Sequence, residues 1–350
     1  MQIKKALFNL FKNRKKSKFD IKNAQNILIS ARCKIGDTIV LFPLLREMKK
    51  NNPNLNIDIL AIRHNSFMFK HNENVNNIYM LYKGISFFTK SLPNLFKLRK
   101  NNYDVIIDTF PIKFESFFYL HLINAKLYLT ENFPNRYALD LNELNYFDFL
   151  LEQNRTLYMS KSLLRYLEPF GYKCFDNSLE VYTTEEKQKY AKDFFKPYKE
   201  KRIIAINVLG SAKSRCITAQ DYIYIAKEIL KIENTIIFFI TMPQNILEVK
   251  NNIKDIPNMH LAYETKDIFD VIALVGEVDL LISPDTALVH IGSALKKDTI
   301  GIYSNIEINR TWWYDPESTV TMVKSKHELV NSIEGFDRDE VILNANKLLH

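Results

Sequence analysis

Short apolar runs of strand length, each followed by a polar loop and a segment with helical spacing, recur along this chain in two series. That alternation restricts the fold more than any other feature. The first series starts at residues 26–31, Asn-Ile-Leu-Ile-Ser-Ala, which precede a polar loop and an amphipathic segment over residues 38–50. Further strands are predicted at 57–62, 77–81 and 103–108, with a helix at 93–99. After a predicted helix at 185–195 the series restarts at Lys201 with Arg-Ile-Ile-Ala-Ile-Asn-Val. Helices at 221–231, 246–253, 268–275 and 287–295 then alternate with strands at 235–240, 279–283 and 299–303. Near-continuous apolar strands interleaved with helices predict parallel sheets covered on both faces. The expected fold class is α/β, with two Rossmann-like doubly wound domains facing a central cleft. Residues 133–171 show no strand pattern and read as an aromatic, helical lid or crossing segment. The expected domains are 23–183 and 184–335, preceded by a basic amphipathic segment, 1–22, and followed by a C-terminal helix, 336–350.

Composition fits this division. The chain has 350 residues, about twice the usual single-domain length, and its 47% hydrophobic content supplies two cores. Its three cysteines, Cys33, Cys174 and Cys216, are far apart in sequence and suit neither a disulfide framework nor a zinc site, so a reducing compartment is expected. No apolar stretch is long enough to span a membrane, which makes a cytoplasmic location the expectation. The net charge of +8 is concentrated in residues 1–22, where eight basic residues face one aspartate. On a helix Ile3, Leu7, Leu10 and Phe11 share one face, the pattern of an interfacial helix on an anionic membrane. A solvated tail packing one helix on the body is the alternative. Nucleic acid is not an expected partner, because the rest of the chain is nearly neutral and carries no recognisable binding module.

Open α/β sheets bind ligands beyond the carboxyl ends of their strands, which points to the loops at 32–37, 209–216, 241–245 and 283–286. In the first, Gly36 permits close backbone approach and Asp37 stands where a carboxylate can accept a proton from a hydroxyl. By spacing alone the commoner role for such an aspartate is the N-cap of a helix beginning at Thr38. In the second, Gly210-Ser-Ala-Lys-Ser-Arg215 brings Ser211, Lys213 and Arg215 to a turn that suits a diphosphate, though an exposed basic loop has the same appearance. In the fourth, Asp285 and Thr286 mark a helix start, followed by Ala287 and, one turn in, His290. Such a start holds phosphate through free N–H groups and the threonine hydroxyl, with Asp285 left to meet a sugar hydroxyl or cap the helix. The aromatic run Trp312-Trp313-Tyr314 reads as a sugar platform or as packing against the C-terminal helix.

Two separated segments carry a family resemblance. Ile27-Leu-Ile-Ser-Ala-Arg-Cys-Lys-Ile-Gly-Asp-Thr-Ile-Val-Leu-Phe-Pro-Leu-Leu-Arg46 and Leu281-Ile-Ser-Pro-Asp-Thr-Ala-Leu-Val-His-Ile-Gly-Ser-Ala-Leu295 together resemble the glycosyltransferases of family 9, the ADP-heptose lipopolysaccharide heptosyltransferases of Gram-negative bacteria. The resemblance runs from about Asn26 to Tyr303. It implies a GT-B fold and an inverting transfer without metal or cofactor, from an ADP-heptose donor to the lipid A-core acceptor of lipopolysaccharide or lipooligosaccharide, by an enzyme peripheral on the inner face of the inner membrane. It implies that Asp37 is the general base, that Arg215 contacts the donor phosphates, and that Thr286 and His290 belong to the donor loop.

The chain departs from the family pattern at Ala287, which replaces a glycine and leaves room for a different sugar nucleotide, at Pro284, and at Arg215-Cys-Ile-Thr218. Gln244, Asn245, Glu248 and Lys266 are candidates for the nucleoside. Arg63, His64 and Lys70 are candidates, with Gly36, for gripping acceptor phosphates or acid sugars, or else form a solvated basic loop. Two rival readings share the frame. A sugar-nucleotide epimerase or hydrolase would release nucleotide without a glycan acceptor, and a degenerate relative would bind glycolipid without catalysis.

Overall fold

The computed structural model describes residues 14–82, 86–110, 114–132, 141, 146–312, 314, 318–329 and 332–350. The chain forms two compact units, 1–177 and 178–350. Each is built on a six-stranded sheet in which every strand pair is parallel.

In the first unit the strands are β1 (Asn26–Ala31), β2 (Asn56–Ile62), β3 (Asn77–Leu81), β4 (Val105–Asp108), β5 (Leu127–Asn132) and β6 (Phe149–Glu152), in the order β3-β2-β1-β4-β5-β6. Helices α1 (Ile35–Asn51), α2 (Leu92–Arg99), α3 (Phe114–Ile123) and α4 (Met159–Leu164) connect or flank them. Burial on both sides explains the apolar runs: Ile27, Leu28, Ile29 and Ala31 are inaccessible to solvent. Each such isoleucine or leucine contributes roughly 1.5–3 kcal/mol of transfer free energy.

The second unit repeats the plan. Its strands are β7 (Arg202–Asn207), β8 (Thr235–Ile240), β9 (Met259–Leu261), β10 (Leu280–Pro284), β11 (Asp298–Tyr303) and β12 (Val320–Lys324), ordered β12-β11-β10-β7-β8-β9. Counted from β7, this is the same arrangement as in the first unit and the Rossmann order. Its helices are α5 (Glu185–Phe195), α6 (Ala219–Ile229), α7 (Ile246–Ile253), α8 (Ile268–Gly276), α9 (Ala287–Ala294) and α10 (Arg338–Leu349). Local signals set their starts. Thr184 caps α5 by accepting from the Lys187 N–H, ahead of Glu185 and Glu186 in the first turn, and Asp337 caps α10 through the Asp339 and Glu340 N–H groups. Val341, Ala345 and Leu349 of α10 join Ile204, Ile225 and Ile302 in one core, so the C-terminal helix is part of the second unit's interior. Gly292 is a packing requirement: a Cβ there would lie 2.3 Å from the Thr299 hydroxyl on β11.

Several sequence expectations need correction. The first helix begins at Ile35, one turn before Thr38, because Lys34 takes the cap position and Asp37 becomes the third helical residue. The region 133–171 is not wholly helical: β6 pairs with β5 there, ahead of α4, while 133–140 and 142–145 lie outside the described residues. Strands β5, β9 and β12 and helix α3 had no counterpart in the sequence reading. Of the basic N-terminal segment, residues 1–13 lie outside the described residues. The rest of it packs on the first unit, where Arg14 and Lys16 both pair with Asp148 and the Arg14 guanidinium lies 4.6 Å from the Tyr128 ring centroid. Among the described residues no helix is long and apolar enough to cross a membrane.

Candidate active site

In a doubly wound sheet the connections leave in opposite directions on either side of the first strand, and the crevice this opens at the carboxyl edge is where ligands sit. Here those points lie between β1 and β4 and between β7 and β10. The sequence-derived candidates fall on the loops beside them.

In the first unit, β1 ends at Ala31 and the chain enters α1 through Arg32, Cys33 and Lys34. Asp37 is half-buried in the first turn, and its Oδ2 accepts the Lys34 N–H at 3.0 Å, the acidic half of a capping box. The carboxylate is thereby held in direction at the end of the sheet. Gly36, adjacent, is helical rather than part of an open turn. Buried Asn65, on the loop after β2, clamps this entry: its Nδ2 donates to the Ala31 carbonyl at 2.7 Å and to the Thr38 hydroxyl at 3.0 Å, and its Oδ1 accepts from the Ile62 N–H. Beside Asn65, Arg63 and His64 are exposed at the same carboxyl edge, and exposed Lys70 lies on the following short helix.

Across the switch point, Asp108 at the end of β4 is buried and pairs with Arg32, 3.3 Å away. Burial raises the Asp108 pKa, against the opposing pull of the guanidinium. Arg32 also donates to Ser30 Oγ at 3.0 Å. The pair ties the loop that carries Asp37 to the neighbouring strand. Farther along the edge, Glu131 of β5 is pushed up to about 7 by burial, with Ser162 and Arg165 acting the other way. Sequence reasoning assigned roles to none of Asn65, Asp108 and Glu131. The polar endings of the strands Val-Ile-Ile-Asp108 and Leu-Tyr-Leu-Thr-Glu-Asn132 were the available signal.

In the second unit the structure brings the two donor-loop candidates together. Arg215 Nη1 lies 3.3 Å from Asp285 Oδ2, both side chains being mostly buried, and 3.4 Å from Ser211 Oγ. Gly210 makes this loop possible by size rather than flexibility: a Cβ would stand 2.3 Å from the Arg215 carbonyl oxygen. Lys213 and Ser211 are exposed on the same turn. Asn207, at the end of β7, reaches across the switch point to Ser283 Oγ at 3.0 Å and Thr286 Oγ1 at 3.4 Å. Thr286 caps α9 by accepting from the Leu288 N–H, with Ala287 first in the helix. His290, one turn in, is buried and held well below the usual histidine range, at about 4, by desolvation. Its Nδ1 meets the Tyr314 hydroxyl at 2.5 Å. Trp312 stands edge-on to the same imidazole, so this aromatic segment packs on α9, while Trp313 lies outside the described residues.

The nucleoside candidates stay apart from this cluster in the interactions they make. Gln244 is exposed and hydrogen-bonds Met242 Sδ, Asn245 lies 3.5 Å from Glu248, and Lys266 is exposed at the turn before α8. They follow β8 and β9, at that sheet's carboxyl edge. Among the described residues no group of three or more His, Cys, Asp or Glu side chains is placed to hold a metal ion.

Residues 95–334 match a family described as glycosyltransferase family 9 (heptosyltransferase). The stretch matched includes Arg215 and Asp285 to His290 and begins after Asp37. An Escherichia coli K12 protein assigned as lipopolysaccharide heptosyltransferase 4 is 30% identical over 138 residues, 39% of this chain and 36% of that relative's length. Among solved structures, a family 9 glycosyl transferase from Veillonella parvula superposes with a TM-score of 0.75 at 16% identity, covering 95% of this chain and 98% of that one. An Escherichia coli heptosyltransferase solved with ADP gives a TM-score of 0.72 at 12% identity, over 92% and 99% of the two chains.

Proposed function

Because the chain belongs to glycosyltransferase family 9, the heptosyltransferases, it is a glycosyltransferase with the GT-B fold, and we propose that it moves a heptose from ADP-heptose to the inner core of lipopolysaccharide or lipooligosaccharide, with inversion and without a metal. The observation that carries this reading is the division of chemical groups between the two switch points. One holds a fixed, half-buried carboxylate, and the other a guanidinium beside a threonine-capped helix start.

In this mechanism Asp37 takes the proton from an acceptor hydroxyl as its oxygen attacks the anomeric carbon from the face opposite the diphosphate. The bond to the diphosphate breaks as the new glycosidic bond forms. Arg215, with Lys213, Ser211 and the α9 start at Thr286 and Ala287, neutralises the charge that gathers on the departing ADP. Asp285 orients the Arg215 fork and stands within reach of a donor sugar hydroxyl. Gln244, Asn245, Glu248 and Lys266 are assigned to the nucleoside. Arg63, His64 and Lys70, with the backbone at Gly36, are assigned to acidic groups of the lipid A-core acceptor.

The test is a transfer assay with purified protein, ADP-heptose and a core acceptor lacking the heptose, the anomeric configuration of the product being read by NMR. An inverted glycoside formed equally well in a chelator is the expected result. ADP release that does not require acceptor would instead identify a hydrolase, and transfer only from another sugar nucleotide would relocate the donor preference to the methyl group of Ala287.

Residues 1–22 are proposed to seat the enzyme on the cytoplasmic, anionic face of the inner membrane. Each lysine or arginine near such a surface contributes about 1 kcal/mol, screened by salt. Because Arg14 and Lys16 are engaged by Asp148, the chain lacking residues 1–13 is the informative variant. It should no longer sediment with phosphatidylglycerol vesicles at low salt, whereas the full chain does. Retained sedimentation would place the membrane contact elsewhere.

A further inference from the structure

His290 sits in an unusual environment for a group at a ligand-binding loop. It is buried in α9, packed against Trp312 and Tyr314, and has no charged partner among the forces that set its pKa, which burial alone pushes down to about 4. The ring is therefore neutral at any working pH, and its chemistry depends on which nitrogen carries the proton. Nδ1 is engaged by the Tyr314 hydroxyl at 2.5 Å. The Tyr314 hydroxyl is itself buried, and its hydrogen-bond partner among the described residues is this imidazole nitrogen. Nε2 has no hydrogen-bond partner among the described residues and is not one of the fully enclosed polar atoms.

These contacts resolve the direction of the bonds. A phenol O–H is a stronger donor than an imidazole N–H, and a bare imidazole nitrogen is a stronger acceptor than a phenol oxygen. With Nδ1 within 2.5 Å of the phenol oxygen, the phenol proton is directed at Nδ1. Nδ1 is then the bare nitrogen, and Nε2 carries the hydrogen. We infer that Tyr314 is a positioning residue that locks His290 in the Nε2–H tautomer, so that the α9 start presents a fixed, uncharged hydrogen-bond donor to an oxygen of the bound nucleotide sugar. The part concerning the ligand rests on the reading of residues 285–290 as the donor loop. The tautomer does not.

The experiment separates the two. Full-length protein labelled with 15N-histidine is measured by two-bond 15N–1H correlation, and the His290 signals are identified by their loss in His290→Gln. The expected wild-type pattern is a protonated Nε2 and a bare Nδ1, unchanged between pH 8 and 5.5. A protonated Nδ1, or a ring that titrates near 6.5, would overturn the inference outright. In Tyr314→Phe the ring should become a mixture of tautomers. If that variant does not fold, the wild type decides: a phenol proton that correlates with the His290 Nδ1 signal is expected, and its absence removes the positioning role. A tautomer as pure as the wild type's in the folded variant removes the positioning role from Tyr314. Isothermal titration with ADP-heptose then tests the ligand: the expected loss is about tenfold in Kd for Tyr314→Phe, for one neutral hydrogen bond. A locked tautomer with unchanged donor affinity would leave His290 neutral and oriented but not in contact with the nucleotide sugar.

Discussion

Asp37→Asn should lose about two to four orders of magnitude in kcat for sugar transfer while leaving ADP affinity and thermal unfolding close to wild type. Asparagine is the discriminating substitution because its side-chain oxygen can still accept the Lys34 N–H that Asp37 accepts at 3.0 Å. It preserves the first turn of α1 and removes only the capacity to take a proton, for which about 10²–10⁴-fold is the ordinary contribution. Asp37→Ala removes both, and should cost about a further 1 kcal/mol of stability through the lost cap. Comparing the two variants separates a base from a capping residue. If Asp37→Asn transfers sugar at the wild-type rate, Asp37 only finishes a helix, and the acid–base group lies elsewhere at the β1–β4 edge.

The second large effect is expected at Arg215. Replacing it with alanine should weaken ADP binding by about 10- to 100-fold and depress turnover as well, in line with about 1.5–3 kcal/mol for a charge-assisted hydrogen bond removed from a partly buried site. Its other partner complicates the measurement, because Asp285 lies 3.3 Å away and would be left without its guanidinium. The double variant Arg215→Ala with Asp285→Asn removes that surplus negative charge, so any affinity it recovers belongs to repulsion between Asp285 and the nucleotide. Arg215→Lys should recover only part of the loss, since an ammonium cannot serve phosphate and carboxylate with one planar fork. Calorimetry decides the matter. An ADP affinity unchanged in Arg215→Ala would make Arg215 the counterion of Asp285 and nothing more.

Both effects depend on residues whose partners differ greatly in legibility. Strands buried on both faces are long and apolar, which is why the reading at 26–31 and 235–240 coincides with β1 and β8. The strands β9 and β12, at sheet edges, escape notice because they pair on one side only and their side chains are partly exposed. β5 lies inside its sheet yet ends in Thr-Glu-Asn, three buried polar residues that no apolar pattern announces. The start of α1 was misplaced for a local reason: Asp37 satisfies a backbone N–H from inside the helix, and by composition alone that looks the same as a cap preceding it.

The sequence by itself determined the alternation of strands and helices, and with it two parallel sheets, because burial on both faces imposes a composition visible in any window of six residues. It also placed Asp37, Arg215 and Asp285 at strand ends, where ligands of such sheets bind. Only the tertiary structure decided what holds them. Arg32 meets Asp108 across 76 residues, Asn65 clamps the turn that begins at Ala31, and Tyr314 reaches back 24 residues to His290. Such pairings follow from strand order, and strand order is set by the packing of whole layers, which leaves no trace in the spacing of neighbouring residues.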